Sequence, residues 1–182
     1  DLAIGVLNDD GIGSNAGAAV IYHGVENGFF VEEEGKRIQG ARGGDQFGQA
    51  MAACDFNGDG FMDLAVTGQR YEKRSRELGL SDQGGVFVFL GDAEGLQQRH
   101  SMVIDGHNLN DDGELVPTGG IRLGLSAAAG YINDDDLCDL AVGTTTISLP
   151  GRRNAGMVQI FQGKAPVDDP EYPDPGGLRE LP

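Results

Sequence analysis

Asp55-Phe56-Asn57-Gly58-Asp59-Gly60-Phe61-Met62-Asp63 puts oxygen-bearing side chains at loop positions one, three, five and nine, with glycine at six. That spacing suits a loop wrapped around a hard divalent cation, most simply calcium. Three carboxylates this close repel one another, and a +2 ion removes the repulsion. Gly60 permits the sharp turn that a side chain would obstruct. The expected ligands are the side chains of Asp55, Asn57, Asp59 and Asp63 and the backbone carbonyl of Phe61, whose ring is then free to enter a core. The loop is not an EF-hand. That motif closes with a bidentate Glu at position twelve and a helix, whereas position twelve here is Val66. Leu64-Ala65-Val66-Thr67-Gly68 is a short apolar run stopped by glycine, which reads as a buried strand. A plain Asn-Gly or Asp-Gly hairpin turn is the alternative, but such a turn needs two residues of this kind, not four oxygens in register.

Working outward, the same pattern returns. Asp63-Leu64-Ala65-Val66 recurs as Asp139-Leu140-Ala141-Val142 and opens the chain as Asp1-Leu2-Ala3-Ile4. Phe47-Gly48 upstream of one copy is matched by Leu123-Gly124 upstream of the next. A glycine-led strand follows each copy, beginning at Gly17, Gly85 and Gly156 and ending in Gly24, Gly91 and Gly163. The unit is therefore about four strands long. In Gly85-Val86-Phe87-Val88-Phe89 both alternating faces are apolar, so both are expected to be buried. Four-stranded blades stacked face to face around an axis bury both faces, which is the propeller solution.

The stretch Gly44-Asp45-Gln46-Phe47-Gly48-Gln49-Ala50, followed by the cation loop and Asp-Leu-Ala-Val, resembles an FG-GAP repeat, the unit of integrin α-subunit-like β-propellers. The likeness spans residue 1 to about 165 in three copies. It departs from the family after strand two, where Thr67-Gly68-Gln69 and Gly143-Thr144-Thr145 keep only the glycine of the usual Gly-Ala-Pro. The resemblance implies calcium on one propeller rim and work in adhesion, ligand display or scaffolding. The third copy reads Tyr131-Ile132-Asn133-Asp134-Asp135-Asp136-Leu137-Cys138-Asp139. There Asn133, Asp135 and Asp139 keep their places, with Leu137 offering its carbonyl. Tyr131 replaces the first carboxylate, and Asp136 stands where glycine is preferred, so weaker binding is expected. Only Asp1, at position nine, is present of the first loop.

The fold class read from these repeats is all-β, about two and a half four-stranded blades of an FG-GAP-type propeller. The boundaries fall at 1–43 (strands two to four of one blade), 44–106 (a complete blade with its calcium loop), 107–165 (strands one to three, with the degenerate loop) and 166–182. This last segment, rich in proline and acid, is expected to be a linker or an extended arm. A closed propeller needs ~4–8 blades, so an open part of a larger ring, or a ring completed by other chains, is expected.

Composition narrows the partners. The formal net charge is −16, from 13 Lys and Arg against 29 Asp and Glu. Phosphate binding needs a basic surface, so nucleic acid is not an expected partner. No run approaches the ~20 apolar residues of a membrane span, so membrane insertion is not expected either. The 31 glycines suit a turn-rich all-β chain. Cys54 and Cys138 stand at different repeat positions and are read as buried thiols in preference to a disulfide. The acidic stretches Asn8–Gly11 and Asn108–Gly113 are read as a turn and a solvated rim loop. Arg70–Glu77, the one basic cluster, is read as a loop of mixed charge.

Catalytic signals are lacking. His23, His100 and His107 are scattered, with His23 expected to pack at a strand end, and no Gly-x-Ser-x-Gly, P-loop or Cys-x-x-Cys is present. The expected function is a non-enzymatic, calcium-binding, secreted, periplasmic or cell-surface propeller that engages a protein partner or neighbouring subunits. Calcium sites of modest affinity fill outside the cytosol, where the ion is millimolar. A carbohydrate-binding propeller, and the accessory or catalytic propeller of a secreted hydrolase or lyase, are the alternatives. The lack of Trp counts against sugar binding.

Overall fold

The structure, a computed structural model, describes residues 1–25, 28–30, 35–40, 42–72, 81–109, 115–147, 153–166, 174 and 176–180. The described residues form strands, turns and bends with no helix. The first sheet orders β1 (Leu2–Val6), β2 (Ala18–Tyr22) and β5 (Lys36–Gln39), with the hairpin β3 (Gly24–Val25) and β4 (Gly28–Phe30) between the last two. The second comprises β6 (Phe47–Cys54), β7 (Asp63–Gly68), β8 (Gly85–Phe89) and β11 (Met102–Asp105), with the hairpin β9 (Gly91–Asp92) and β10 (Gly95–Leu96) before its last strand. After the hairpin β12 (His107–Leu109) and β13 (Leu115–Pro117), the third comprises β14 (Ser126–Gly130), β15 (Asp139–Thr144), β16 (Met157–Lys164) and β17 (Gly177–Glu180). Pairing within each sheet is antiparallel. The inner strand β6 touches both β1 and β14, so the sheets stack face to face as consecutive blades of a partial β-propeller.

Strand β8 shows why the stack holds. All five of its residues are buried. Phe87 and Phe89 point into a core shared with Ala19, Ile21 and Ile38 of the first blade. Val86 and Val88 point the other way, into a core shared with Leu140, Val142, Phe161 and Leu178 of the third. The period of two carries side chains alternately to the two neighbours.

The joints between blades repeat. Phe47 forms a parallel bridge with Gly17, and Leu123 with Gly84. The Phe47 amide donates to the Ala16 carbonyl and the Leu123 amide to the Gln83 carbonyl, each over 3.0 Å. Asn15, Asp82 and Asn154 all take left-handed backbone, with φ of 53°, 51° and 51°. Gly48 also has a φ of +90°, and a Cβ there would meet the Ala18 carbonyl. Asp82 adds charge to the second joint, accepting from Arg70 Nε at 3.1 Å and Arg122 Nη2 at 3.0 Å. Burial works against its charged form, but the two arginine hydrogen bonds prevail and hold its carboxyl below the usual range.

Four expectations are corrected. The tail is not solely a linker: Gly177–Glu180 pairs with β16, so the third blade has four strands where three were expected. The strand lies between Pro175 and Pro182, so no proline interrupts its ladder. Leu178 is 2% exposed and enters the core, while Lys164 pairs with Asp174 before the strand begins. Cys54 and Cys138 form a disulfide, with Cα atoms 6.1 Å apart; adjacent blades bring two dissimilar repeat positions face to face. His23 does not pack: its side chain is 56% exposed and bonds Asp1 Oδ2 at 3.1 Å. The ring of Phe61 is 41% exposed instead of entering a core.

The turn at Asn8–Gly11 is held by its own side chains. The Gly11 amide donates to Asp9 Oδ1 and the Asn15 amide to Asp10 Oδ1, while Arg37 pairs with Asp9. Residues 110–113 of the second acidic stretch and 73–77 of the basic stretch lie outside the described residues.

Asp45, beside the Phe-Gly joint, is 3% exposed. Burial pushes its carboxyl up from 3.8 to about 6, against the backbone hydrogen bond and charge of Arg42. The unfolded chain releases this proton near 3.8 and the folded chain near 6, so the fold binds the extra proton between these values. Stability therefore falls as pH rises across that window and is level above it. Asp45→Asn is expected to remove the share of this decline that Asp45 contributes, about 1–2 kcal/mol after solvent screening, and to leave the share of Asp63, whose buried carboxyl is raised over the same range. Urea midpoints of both proteins at about pH 4 and about pH 7 check this.

Candidate metal centre

Two loops at one end of the blades carry the predicted ligands, 55–63 between β6 and β7 and 131–139 between β14 and β15. The first is organised by its own carboxylates. Asp55 Oδ1 accepts from the Gly58 amide at 2.7 Å and the Asp59 amide at 3.2 Å, and Asp55 Oδ2 from Gly60 at 2.8 Å. Asn57 Oδ1 accepts from the Asp59 amide at 3.1 Å, and Asp59 Oδ1 from Phe61 at 2.9 Å. These bonds wind the loop so that residues one, three and five point to its inside. Gly60 has a φ of +90° with nothing near the place of its Cβ, so glycine is favoured there by backbone conformation and not by space.

Asp63 serves differently. It is 1% exposed, with Oδ2 accepting from the Phe56 amide at 2.9 Å and Oδ1 from the Gly91 amide at 2.8 Å. It thus clamps the start of the loop to the end of strand β8. Burial pushes its carboxyl up to about 6 against these two bonds, and the charges of Asp59 and Asp55 push the same way.

The second loop repeats the scheme with one part missing. Asn133 Oδ1 accepts from the Asp135 amide at 3.1 Å, and Asp135 Oδ1 from Leu137 at 3.1 Å. Asp139 accepts from Ile132 at 3.0 Å and from Gly163 at 3.0 Å, as Asp63 does from Phe56 and Gly91. Tyr131, at position one, is 68% exposed and supplies no carboxylate. Asp136, at position six, takes a φ of 60°, the left-handed turn that Gly60 makes in the other loop. In the first copy Asp1 Oδ1 accepts from the Gly24 amide at 2.9 Å.

All three copies therefore share one device that sequence reasoning missed. The position-nine aspartate binds the amide of the glycine that ends strand three. Its signal was present, since Asp1, Asp63 and Asp139 are each followed by such a glycine.

Oxygen is the only donor type among the predicted ligands, which suits a hard cation. The carboxylates of Asp55, Asp59, Asp63, Asp135 and Asp139 in these loops accept from backbone amides, and Asp59 Oδ2 takes Asn57 Nδ2 at 2.9 Å. Among the described residues, no three His, Cys, Asp or Glu side chains converge as a metal would gather them. The residues fit a cation by donor chemistry, by loop winding and by the mutual repulsion around Asp63.

Comparison with known proteins places these features. The FG-GAP repeat profile matches residues 47–89, from Phe47 through the loop to the end of β8. The chain is 35% identical to mouse integrin alpha-3 across 75% of its own length.

This chain belongs to the integrin-α-like FG-GAP family.

Integrin alpha-PS2 of Drosophila melanogaster is 30% identical over 69% of the chain, and mouse integrin alpha-IIb 38% over 54%. The FG-GAP chain spans 14% of the length of integrin alpha-3 and 8% of each of the other two. Among its described residues, no helix is long and apolar enough to cross a membrane. The histidines of this FG-GAP chain stand apart in structure as in sequence. His23 is at Asp1, His100 stacks edge-on against Phe87 and Phe89, and His107 meets the Asp105 carbonyl.

Proposed function

We propose that this chain is a calcium-stabilised part of an extracellular β-propeller that binds protein partners or neighbouring subunits, as an adhesion or assembly module without catalysis. Likeness to integrin α chains over 75% of its length carries the reading. Further support comes from two adjacent oxygen-lined loops, from the disulfide, which suits an oxidising compartment, and from a net charge of −16 that bound cations would offset. Asp55, Asn57, Asp59, Asp63 and the Phe61 carbonyl would hold one ion. Asn133, Asp135, Asp139 and the Leu137 carbonyl would hold another with lower affinity. The outer faces of the stack support a larger ring. Ile4 is 43% exposed on β1 and Val158 is 65% exposed on β16, where its counterpart Val86 on β8 is fully buried. Carbohydrate finds no support in the relatives and is not carried further.

Thermal unfolding in millimolar calcium and in chelator tests the cation reading. Calcium is expected to stabilise the fold by about 3 kcal/mol at a hundredfold excess over Kd. Asp59→Ala is expected to remove most of that increment and to cost little in chelator. Asp63→Ala is expected to cost about 2 kcal/mol even in chelator, because the Phe56 and Gly91 amides lose their buried acceptor. An equal loss for Asp59→Ala in both conditions would sink the ligand assignment.

A further inference from the structure

The two loops are joined to each other by contacts that, apart from the carboxylate of Asp139, use no proposed cation ligand. Leu137 packs its side chain on Gly58, where a Cβ would stand 2.7 Å from Leu137 Cδ2. Strand β16 runs between the loops and binds one with each of two successive amides. Gly163 donates to Asp139 Oδ1 of the second loop at 3.0 Å, and Lys164 donates to the Phe56 carbonyl of the first at 3.0 Å. Gly163 lies so close to the Cys138 and Phe56 carbonyls that a Cβ would stand 2.7 and 3.0 Å from them. The disulfide ties Cys54, which precedes the first loop, to Cys138, at position eight of the second. Phe56, position two of the first loop, is fully buried in the core between the same two blades.

We propose that the two loops form one coupled cation centre, in which filling 55–63 raises the affinity of 131–139, and the reverse. The proposal rests on the cation reading given above. Winding the first loop around an ion fixes Gly58, Phe56 and Cys54. These fix Leu137, the Gly163–Lys164 segment and Cys138, which position the Leu137 carbonyl and Asp139. The second loop lacks a position-one carboxylate, so it gains most from being held in place beforehand. Coupling between binding sites is reciprocal by thermodynamic necessity. The linking groups are a hydrophobic contact, two backbone amides and a disulfide, so the favourable part of the coupling is steric and works against the mutual repulsion of the two ions.

Calorimetric titration of the whole chain with calcium chloride tests this. Asp59→Ala isolates the second loop and Asp135→Ala isolates the first. The product of the two wild-type stepwise affinities is expected to exceed the product of the two isolated affinities by about fivefold or more. Leu137→Ala keeps every ligand, including the position-seven carbonyl, and is expected to bring that ratio towards one. So is the Cys54→Ser/Cys138→Ser chain. A ratio of one in the wild type overturns the coupling, as does a single ion bound per chain. Absence of any binding heat, with no calcium effect on the melting midpoint, overturns the cation reading itself. If either aspartate variant fails to fold, the wild-type and Leu137→Ala isotherms decide alone: an unchanged cooperative shape in Leu137→Ala overturns the proposed route.

Discussion

Phe47→Ala is expected to destabilise the chain by about 3–5 kcal/mol, the usual cost of deleting a buried aromatic ring. Phe47 is 1% exposed and is wedged between two blades. Its ring meets Phe87 edge-on at 5.2 Å and Phe89 at 6.1 Å, and it shares their core with Ala19, Ile21 and Ile38 of the preceding blade. Both walls belong to sheets with their own hydrogen-bonded frames, so neither can collapse far into the void. Phe47→Leu is expected to cost less than about 1.5 kcal/mol, because Leu123 fills the corresponding place at the next joint and is fully buried there. Urea unfolding of the three proteins checks this. A loss within about 1 kcal/mol for the alanine variant would mean that the Phe-Gly pair does not hold the joint.

Removing the disulfide is the second large expected effect. Cys54 and Cys138 close a loop of 84 residues. In the chain-entropy account a loop of that length is worth about 4–5 kcal/mol, and measured losses run at about 2–5. The bond also clamps the second joint at its cation end, while Asp82 and its two arginines hold the same joint by charge at the opposite end of the strands. The Cys54→Ser/Cys138→Ser chain is expected to melt about 5–15 °C lower, and reductant is expected to lower the wild type by a similar amount. An unchanged midpoint in both would show that the cross-link adds no stability.

Much of the fold was legible because the evidence was local. Val86 to Phe89 alternates within a few residues, and the structure carries that alternation into two separate cores. The three Asp-Leu-Ala runs begin β7 and β15, inner strands of the two four-stranded sheets, and β1, the edge strand of the three-stranded one. Of the cation loops, the residue types and the turn at position six could be read directly. The two duties of the aspartates could not. Asp59 is exposed and faces the loop interior, whereas Asp63 is buried and clamps a distant strand end. Their separation in sequence is small, and only packing distinguishes them. The fourth strand of the third blade was hidden by prolines that flank it without entering it.

The sequence by itself determined the all-β class, the repeat, the position of both loops and the family, since each is written in spacings of a few residues. Tertiary structure decided the pairing of Cys54 with Cys138, the exposure of the Phe61 ring, the strand at Gly177–Glu180 and the contact between the two loops. All of these depend on which blade faces which. That arrangement is set by the burial of two sheet faces at once, and it brings together residues that no short stretch of sequence relates.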